Sequence, residues 1–189
     1  MKMQFTKTAE PDHGYQEAAE FPALPAMKTL GHLAVSRPVV IQDTREQTPL
    51  VFRRLACELG TLTTGDYSFA GGENVFAVER KSIADLVACC MNANRERFER
   101  ELHRLRGFWF ARLLVVGARA DVERGNYRSD LSPVAVLSTL AAFEVRYGVP
   151  VVWVNDPEAA ARQVESWVWW CARELVVQAN EVRRGSKRL

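Results

Sequence analysis

From residue 38 onward, apolar runs of strand length alternate with longer stretches of helical periodicity, and this alternation restricts the fold more than any other feature. Val39-Val40-Ile41-Gln42 reads as a buried strand that starts after Pro38 and ends at Asp43. Residues 49–59 are expected to form a short helix. Thr61 to Ala70 reads as extended, Gly71-Gly72 as a turn and Val75 to Arg80 as a strand, which together predict a hairpin. Ser82 is an N-cap candidate with Asp85 three positions on, the spacing of a capping box, and Ile83, Leu86, Val87 and Cys90 follow at helical spacing. Asn94 to Arg106 predicts a second helix with Phe98, Leu102 and Leu105 on one face. Arg112 to Ala118 reads as a buried strand. Ser132 and Pro133 open a long helix that Gly148 ends. Val149 to Val154 is the last strand, and Pro157 to about Val182 the last helix. Strands and helices mixed in this way predict an α/β or α+β domain with a mixed central sheet flanked by helices.

Residues 1–37 have a weak hydrophobic pattern broken by Pro11, Pro22 and Pro25, and are expected to be a partly disordered extension. The rest has enough apolar residues for a real core, with 48% of the chain hydrophobic and 25% charged. Cys57, Cys89, Cys90 and Cys171 form no C-x-x-C pair and have no His at zinc-ligand spacing. This argues against a disulfide framework and for a reducing compartment: the cytoplasm, or the nucleus in a eukaryote. No apolar run approaches the roughly 18 residues of a membrane span, and the N-terminus lacks the pattern of a secretion signal.

The formal net charge of +2 rests on Arg183, Arg184, Lys187 and Arg188, four cations at the C-terminus, so charge alone does not announce a nucleic-acid binder. The choice of cation says more: 20 Arg stand against 5 Lys. Arg carries a planar fork that fits phosphate, although codon preference would give the same ratio.

Three segments carry groups suited to chemistry: Asp43-Thr44-Arg45-Glu46, Gly65-Asp66-Tyr67 and Glu79-Arg80-Lys81. In the predicted hairpin Asp66 lies on one strand and Glu79 on its partner. Strand side chains alternate, so Glu79 and Lys81 project together while Arg80 points away with Phe76 and Val78. Asp43 stands just past a buried strand. Hard oxygen ligands of this kind suit Mg²⁺ or Mn²⁺, and a Lys beside them can orient water and offset phosphate charge. Arg45 is able to hold a neighbouring phosphate through its fork. Each segment alone has a plainer reading: a turn, a solvated surface run, a helix start with a salt bridge. Their order and separation are what point to a site.

Gly65-Asp66, then Glu79-Arg80-Lys81, then Asp85 resembles the G-D-x(n)-E-R-K-x(3)-D signature of the XPF-type nucleases, structure-specific endonucleases of the restriction-endonuclease-like superfamily. Asp43-x-Arg45-Glu46 after Val-Val-Ile-Gln, and Lys81-Ser82-Ile83-Ala84-Asp85-Leu86, resemble the same family. The resemblance covers roughly residues 38–180, with the sharp motifs in 43–86. It implies a restriction-endonuclease-like α/β core over residues 38–182 and Mg²⁺- or Mn²⁺-dependent cleavage of branched or flapped DNA. By motif match Asp43, Asp66 and Glu79 would be the catalytic metal-site acids and Lys81 the catalytic cation, with Arg45, Glu46, Arg80 and Asp85 supporting. The capping box gives Asp85 a sufficient structural reason of its own. Many members continue into paired helix-hairpin-helix modules, whereas only a basic tail, residues 183–189, follows residue 182 here. The alternative function is a noncatalytic DNA-binding partner subunit.

For DNA contact, Arg95 and Arg97 are the candidates besides Arg45, since they lie nearest the motif on a helix where acids interleave. A solvated helix face with i,i+4 ion pairs is the competing reading. On the last helix, Val164, Trp167, Val168, Cys171, Leu175 and Val182 form a core-facing stripe flanked by Trp169 and Trp170. That breadth predicts an interface, either a homodimer or a nuclease partner subunit, unless Phe21, Leu24 and Leu30 of the N-terminal arm cover it.

Overall fold

The computed structural model of the chain describes residues 37–186. The arm residues Phe21, Leu24 and Leu30, and Lys187 and Arg188 of the tail, lie outside the described residues. Six strands form one sheet: β1 (Val40–Asp43), β2 (Cys57–Gly60), β3 (Tyr67–Phe69), β4 (Phe76–Ser82), β5 (Phe110–Val116) and β6 (Val151–Val154). Their order is β2-β1-β3-β4-β5-β6. β3 runs antiparallel to β1 and β4, while β2 is parallel to β1, and β5 and β6 continue parallel to β4. The helices are α1 (Ile83–Cys89), α2 (Asn92–Leu105), α3 (Arg119–Glu123), α4 (Pro133–Tyr147) and α5 (Pro157–Ser186).

Strand alternation divides the core between two layers. On one face Ala77, Ala111, Leu113 and Val115 pack against Leu86 and Val87 of α1, Phe98, Leu102 and Leu105 of α2, and Val136, Leu140 and Phe143 of α4. On the other, Val40, Tyr67, Phe76, Val78 and Leu114 pack against Ala160, Val164, Val168 and Cys171 of α5. With helices on both faces, the buried strands read as continuous apolar runs, as the sequence predicts for β1 and β5. The helix ends follow the sequence signals too. Ser82 Oγ accepts from Asp85 N at 3.1 Å and donates to Asp85 Oδ2 at 2.7 Å. Gly148 ends α4 in the left-handed region at φ 65°, and its N–H reaches Glu144 O.

The helix expected over residues 49–59 does not form. The N–H groups of Arg53, Arg54 and Leu55 donate to Glu165 Oε1 of α5 at 2.9, 2.6 and 3.1 Å, and residues 57–60 join β1 as an edge strand. A buried carboxylate 110 residues away in sequence thus takes the donors that a helix would have used. The expected apolar breadth of α5 is also narrower than its sequence suggests. Trp167 packs on Phe110, Trp169 is buried against the edge of Trp170, and of the three only Trp170 stands exposed, at 52%. Val182 is 70% exposed, outside the core stripe, and the helix runs on through Arg183 and Arg184.

Candidate active site

The strand register lines up three acids. Gln42 pairs with Tyr67 and Tyr67 with Val78, so the next step along brings Asp43, Asp66 and Glu79 into one row across β1, β3 and β4. Backbone bonds fix that row: Asp43 N donates to Asp66 O, and Asp66 N to Val78 O, both at 2.8 Å. Residues directly opposite in antiparallel strands share a face. Gly65 makes the entry to β3 possible. It adopts φ 81°, and a Cβ there would lie 3.1 Å from Val78 O and 3.3 Å from Ala77 Cβ.

Their surroundings differ. Both oxygens of Asp43 are committed: Oδ1 accepts from Arg45 N and Nε at 2.8 and 2.7 Å, and Oδ2 from Arg45 Nη2 and Leu62 N at 3.0 and 2.7 Å. The Arg45 guanidinium, together with the two backbone N–H groups, holds the Asp43 carboxyl down at about 2 against the opposing effect of burial. Asp43 is therefore the anchor of Arg45, whose Nη2 also donates to Leu62 O at 2.6 Å and whose side chain is 67% exposed.

Among the described residues Asp66 is engaged on one oxygen, where Arg80 N donates to Oδ2 at 2.7 Å. Burial raises its pKa to about 6, opposed by that N–H and by Lys81 and reinforced by Glu46 and Glu101. Glu79 is 2% exposed; its Oε1 accepts from Lys81 Nζ, while its buried Oε2 has no hydrogen-bond partner among the described residues. Burial first, then the charge of Asp66, pushes the Glu79 carboxyl well above the usual range. Burial alone would lower the pKa of Lys81, but the carboxylates of Glu79 and Glu101 outweigh it and keep the ammonium charged. Arg80 alternates with Glu79 and Lys81 along β4 and lines an adjoining cleft with Arg45, Asp66, Lys81 and Asp85. Its Nε and Nη2 fork onto Glu46 at 3.1 Å each, with a further bond to Thr48 Oγ1. Asp85 is occupied with the cap of α1.

Asp43, Asp66, Glu79 and Lys81 line one cleft of about 430 Å³, with Arg45, Thr64, Arg97, Glu101 and Arg104 among the residues around it. Among the described residues no three Asp, Glu, His or Cys side chains stand as a ready-made metal cage. The donors nonetheless suit a hard divalent cation: among the described residues Asp66 keeps a carboxylate oxygen free of hydrogen bonds, and Glu79 Oε2 is a buried oxygen with no donor to it.

The sequence profile of the ERCC4 domain matches residues 42–166. The chain belongs to the ERCC4 domain family. Among solved structures this ERCC4 domain is similar to XPF from Aeropyrum pernix, with 22% identity and a TM-score of 0.55 over 69% of this chain and 60% of that one. It is also similar to XPF from Aeropyrum pernix in complex with DNA, with 21% identity and a TM-score of 0.54 over 73% of this chain and 66% of that one. The chain thus spans about 60% of the length of the first of these, and the α/β mixed-sheet fold is shared. No curated protein sequence matches it. Among the described residues no helix is long and apolar enough to cross a membrane.

Of the three expected DNA contacts of this ERCC4 domain, Arg45 and Arg97 reach the cleft, and Arg95 does not. Arg95 turns to Glu99 at 3.1 Å and lies over the Phe143 ring, because its position on α2 faces α4. Two further residues of α2 line the cleft: Glu101, and Arg104 of the basic cluster Arg95, Arg97, Arg100, Arg104 and Arg106, in which the sequence favours Arg95 and Arg97. Arg104 donates to Thr64 Oγ1 at 3.1 Å, and Glu101 Oε2 stands 3.9 Å from Lys81 Nζ. In the sequence, 97, 101 and 104 recur at i, i+4 and i+7, each one position before the apolar stripe of Phe98, Leu102 and Leu105.

Proposed function

We propose that this ERCC4 domain is a Mg²⁺- or Mn²⁺-dependent endonuclease that hydrolyses DNA phosphodiester bonds, with branched, flapped or forked DNA as its substrate. The observation that carries the reading is the pairing of Asp66 with a buried, half-satisfied Glu79 beside the Lys81 ammonium, in a cleft bordered by Arg45, Arg97 and Arg104. Asp66 and Glu79 are the residues that would hold the cation. Asp43, with its oxygens taken, supports them by fixing Arg45 and the 62–64 loop. A divalent ion held there would supply the polarisation of the scissile phosphate and a lowered pKa for a bound water. Lys81 orients the attacking water and offsets the charge that builds on the phosphate. Arg45, Arg97 and Arg104 take flanking phosphates through their forks and position the strand. Glu46 and Arg80 pair beside Asp66 and Lys81 and hold the 46–48 turn against the site. Family membership and the XPF fold support this reading, and the XPF structure with DNA supports DNA as the ligand.

The test is incubation of labelled flap, fork and duplex DNA with the purified chain in Mg²⁺, in Mn²⁺ and in excess chelator. Cleavage of branched substrates in metal, absent in chelator and absent for Asp66→Asn, is the expected result. Cleavage that persists in chelator would overturn the reading.

A further inference from the structure

Lys81 and the proposed cation compete for one carboxylate. Lys81 Nζ is bonded to Glu79 Oε1, the group that would have to accept a divalent ion. An ammonium and a divalent ion held on the same carboxylate repel each other, so an ion on Glu79 favours a shift of the Lys81 ammonium away from it. The choices are few. Lys81 is only 17% exposed and its ammonium lies 5.5 Å from the centre of the Phe98 ring, so water does not offer it a full shell. Asp43 is committed to Arg45 and Leu62, and Asp66 to Arg80 N on one oxygen. Among the described residues Glu101 is the other carboxylate within 4 Å, with Oε2 at 3.9 Å from Nζ. It projects from α2, a different element from the strand that carries Glu79 and Lys81, and it keeps 24% exposure, so it has room to follow the ammonium. Glu79 and Glu101 are neighbours in the cleft, and among the described residues the buried Oε2 of Glu79 has no hydrogen-bond partner, so this carboxylate has a second acceptor oxygen for an incoming ion.

We infer that Glu101 is a positioning residue: it takes over the Lys81 ammonium when Glu79 accepts the divalent ion, and so sets Lys81 at the working distance from the phosphate. This inference rests on the proposed cation site. Glu101 acts through Lys81, and its effect on the ion disappears when Lys81 is gone.

A double-mutant cycle on the full chain tests this, read by Mn²⁺ titration in calorimetry or electron paramagnetic resonance without DNA, with urea unfolding to check the fold. Glu101→Gln is expected to weaken Mn²⁺ binding by about tenfold, the size usual for losing a group that orients a metal ligand. Lys81→Met is expected to tighten Mn²⁺ binding, because the competing charge is removed. In the Lys81→Met background Glu101→Gln is expected to change the affinity by no more than about threefold, which is below the effect of an orienting group. An equal loss in both backgrounds would overturn the inference and make Glu101 a ligand or a simple source of field. Unchanged Mn²⁺ affinity for Glu101→Gln in a chain that binds Mn²⁺ normally would overturn it while leaving the proposed function intact. A wild-type chain that binds no Mn²⁺ would overturn the cation site itself, and the inference with it.

Discussion

Asp66→Asn should make the metal-free protein more stable while removing its response to metal. Asp66 is mostly buried, and its pKa rises from the ordinary 3.8 to about 6. The sign follows from proton linkage. Below about pH 4 the carboxyl is protonated in both the folded and unfolded states and makes no difference. Between about 4 and 6 the unfolded chain has lost the proton and the folded chain still holds it, so stability falls as pH rises. Above about 6 the full cost of an ionised, buried Asp66 is present. The raised pKa corresponds to roughly 3 kcal/mol. Residual solvent contact at the cleft screens part of this, leaving about 2 kcal/mol. Asn keeps an oxygen to accept from Arg80 N, so the strand pairing survives the change. In chelator at pH 7.5 the variant should melt about 4–8 °C above wild type, the shift that 2 kcal/mol gives in a domain of this size. At pH 4 the two should melt together. Millimolar Mn²⁺ should raise the melting temperature of wild type at pH 7.5 and leave that of Asp66→Asn unchanged. A variant that is less stable than wild type at pH 7.5, or equally stabilised by Mn²⁺, would refute the reasoning.

Glu79→Gln should abolish cleavage and Lys81→Ala should impair it severely, with circular dichroism unchanged; near wild-type cutting by either would remove that residue from the site. Glu165→Ala should cost about 3 kcal/mol in urea unfolding, because three N–H groups at Arg53, Arg54 and Leu55 lose their acceptor, whereas Glu165→Gln should cost about 1 kcal/mol. DNA affinity should fall steeply with salt, and Arg97→Ala and Arg104→Ala should each weaken it several-fold while Arg95→Ala leaves it nearly unchanged, as fluorescence anisotropy would register. The exposed Trp170 predicts self-association that sedimentation would detect and Trp170→Glu would weaken, and a wild-type chain that stays monomeric at high concentration, alone and with DNA, would count against it.

What the sequence determined by itself is local or periodic. Strand alternation places Glu79 and Lys81 on one face and Arg80 on the other, since the period of two is a property of the extended backbone. Ser82 and Asp85 mark the start of α1, and Pro133 and Gly148 bound α4, because caps are built from residues three to five positions apart. The mixed α/β class follows from the same periodicities. The tertiary structure decided whatever depends on a partner distant in the chain. The 53–55 segment is not helical because Glu165 of α5 takes its N–H groups. The hydrogen bonds of Asp43 to Leu62, 19 residues on, as well as to its neighbour Arg45, are likewise set by the fold and not by its place in a motif. Arg104 and Glu101 join the site, and Arg95 leaves it, according to which side of α2 meets the sheet. Helical spacing sorts residues into faces, but only packing against β4 and α4 says which face looks into the cleft. Burial completes the chemistry: the raised pKa of Asp66 and the orphaned oxygen of Glu79 exist because the fold excludes water from charges that the sequence places far apart.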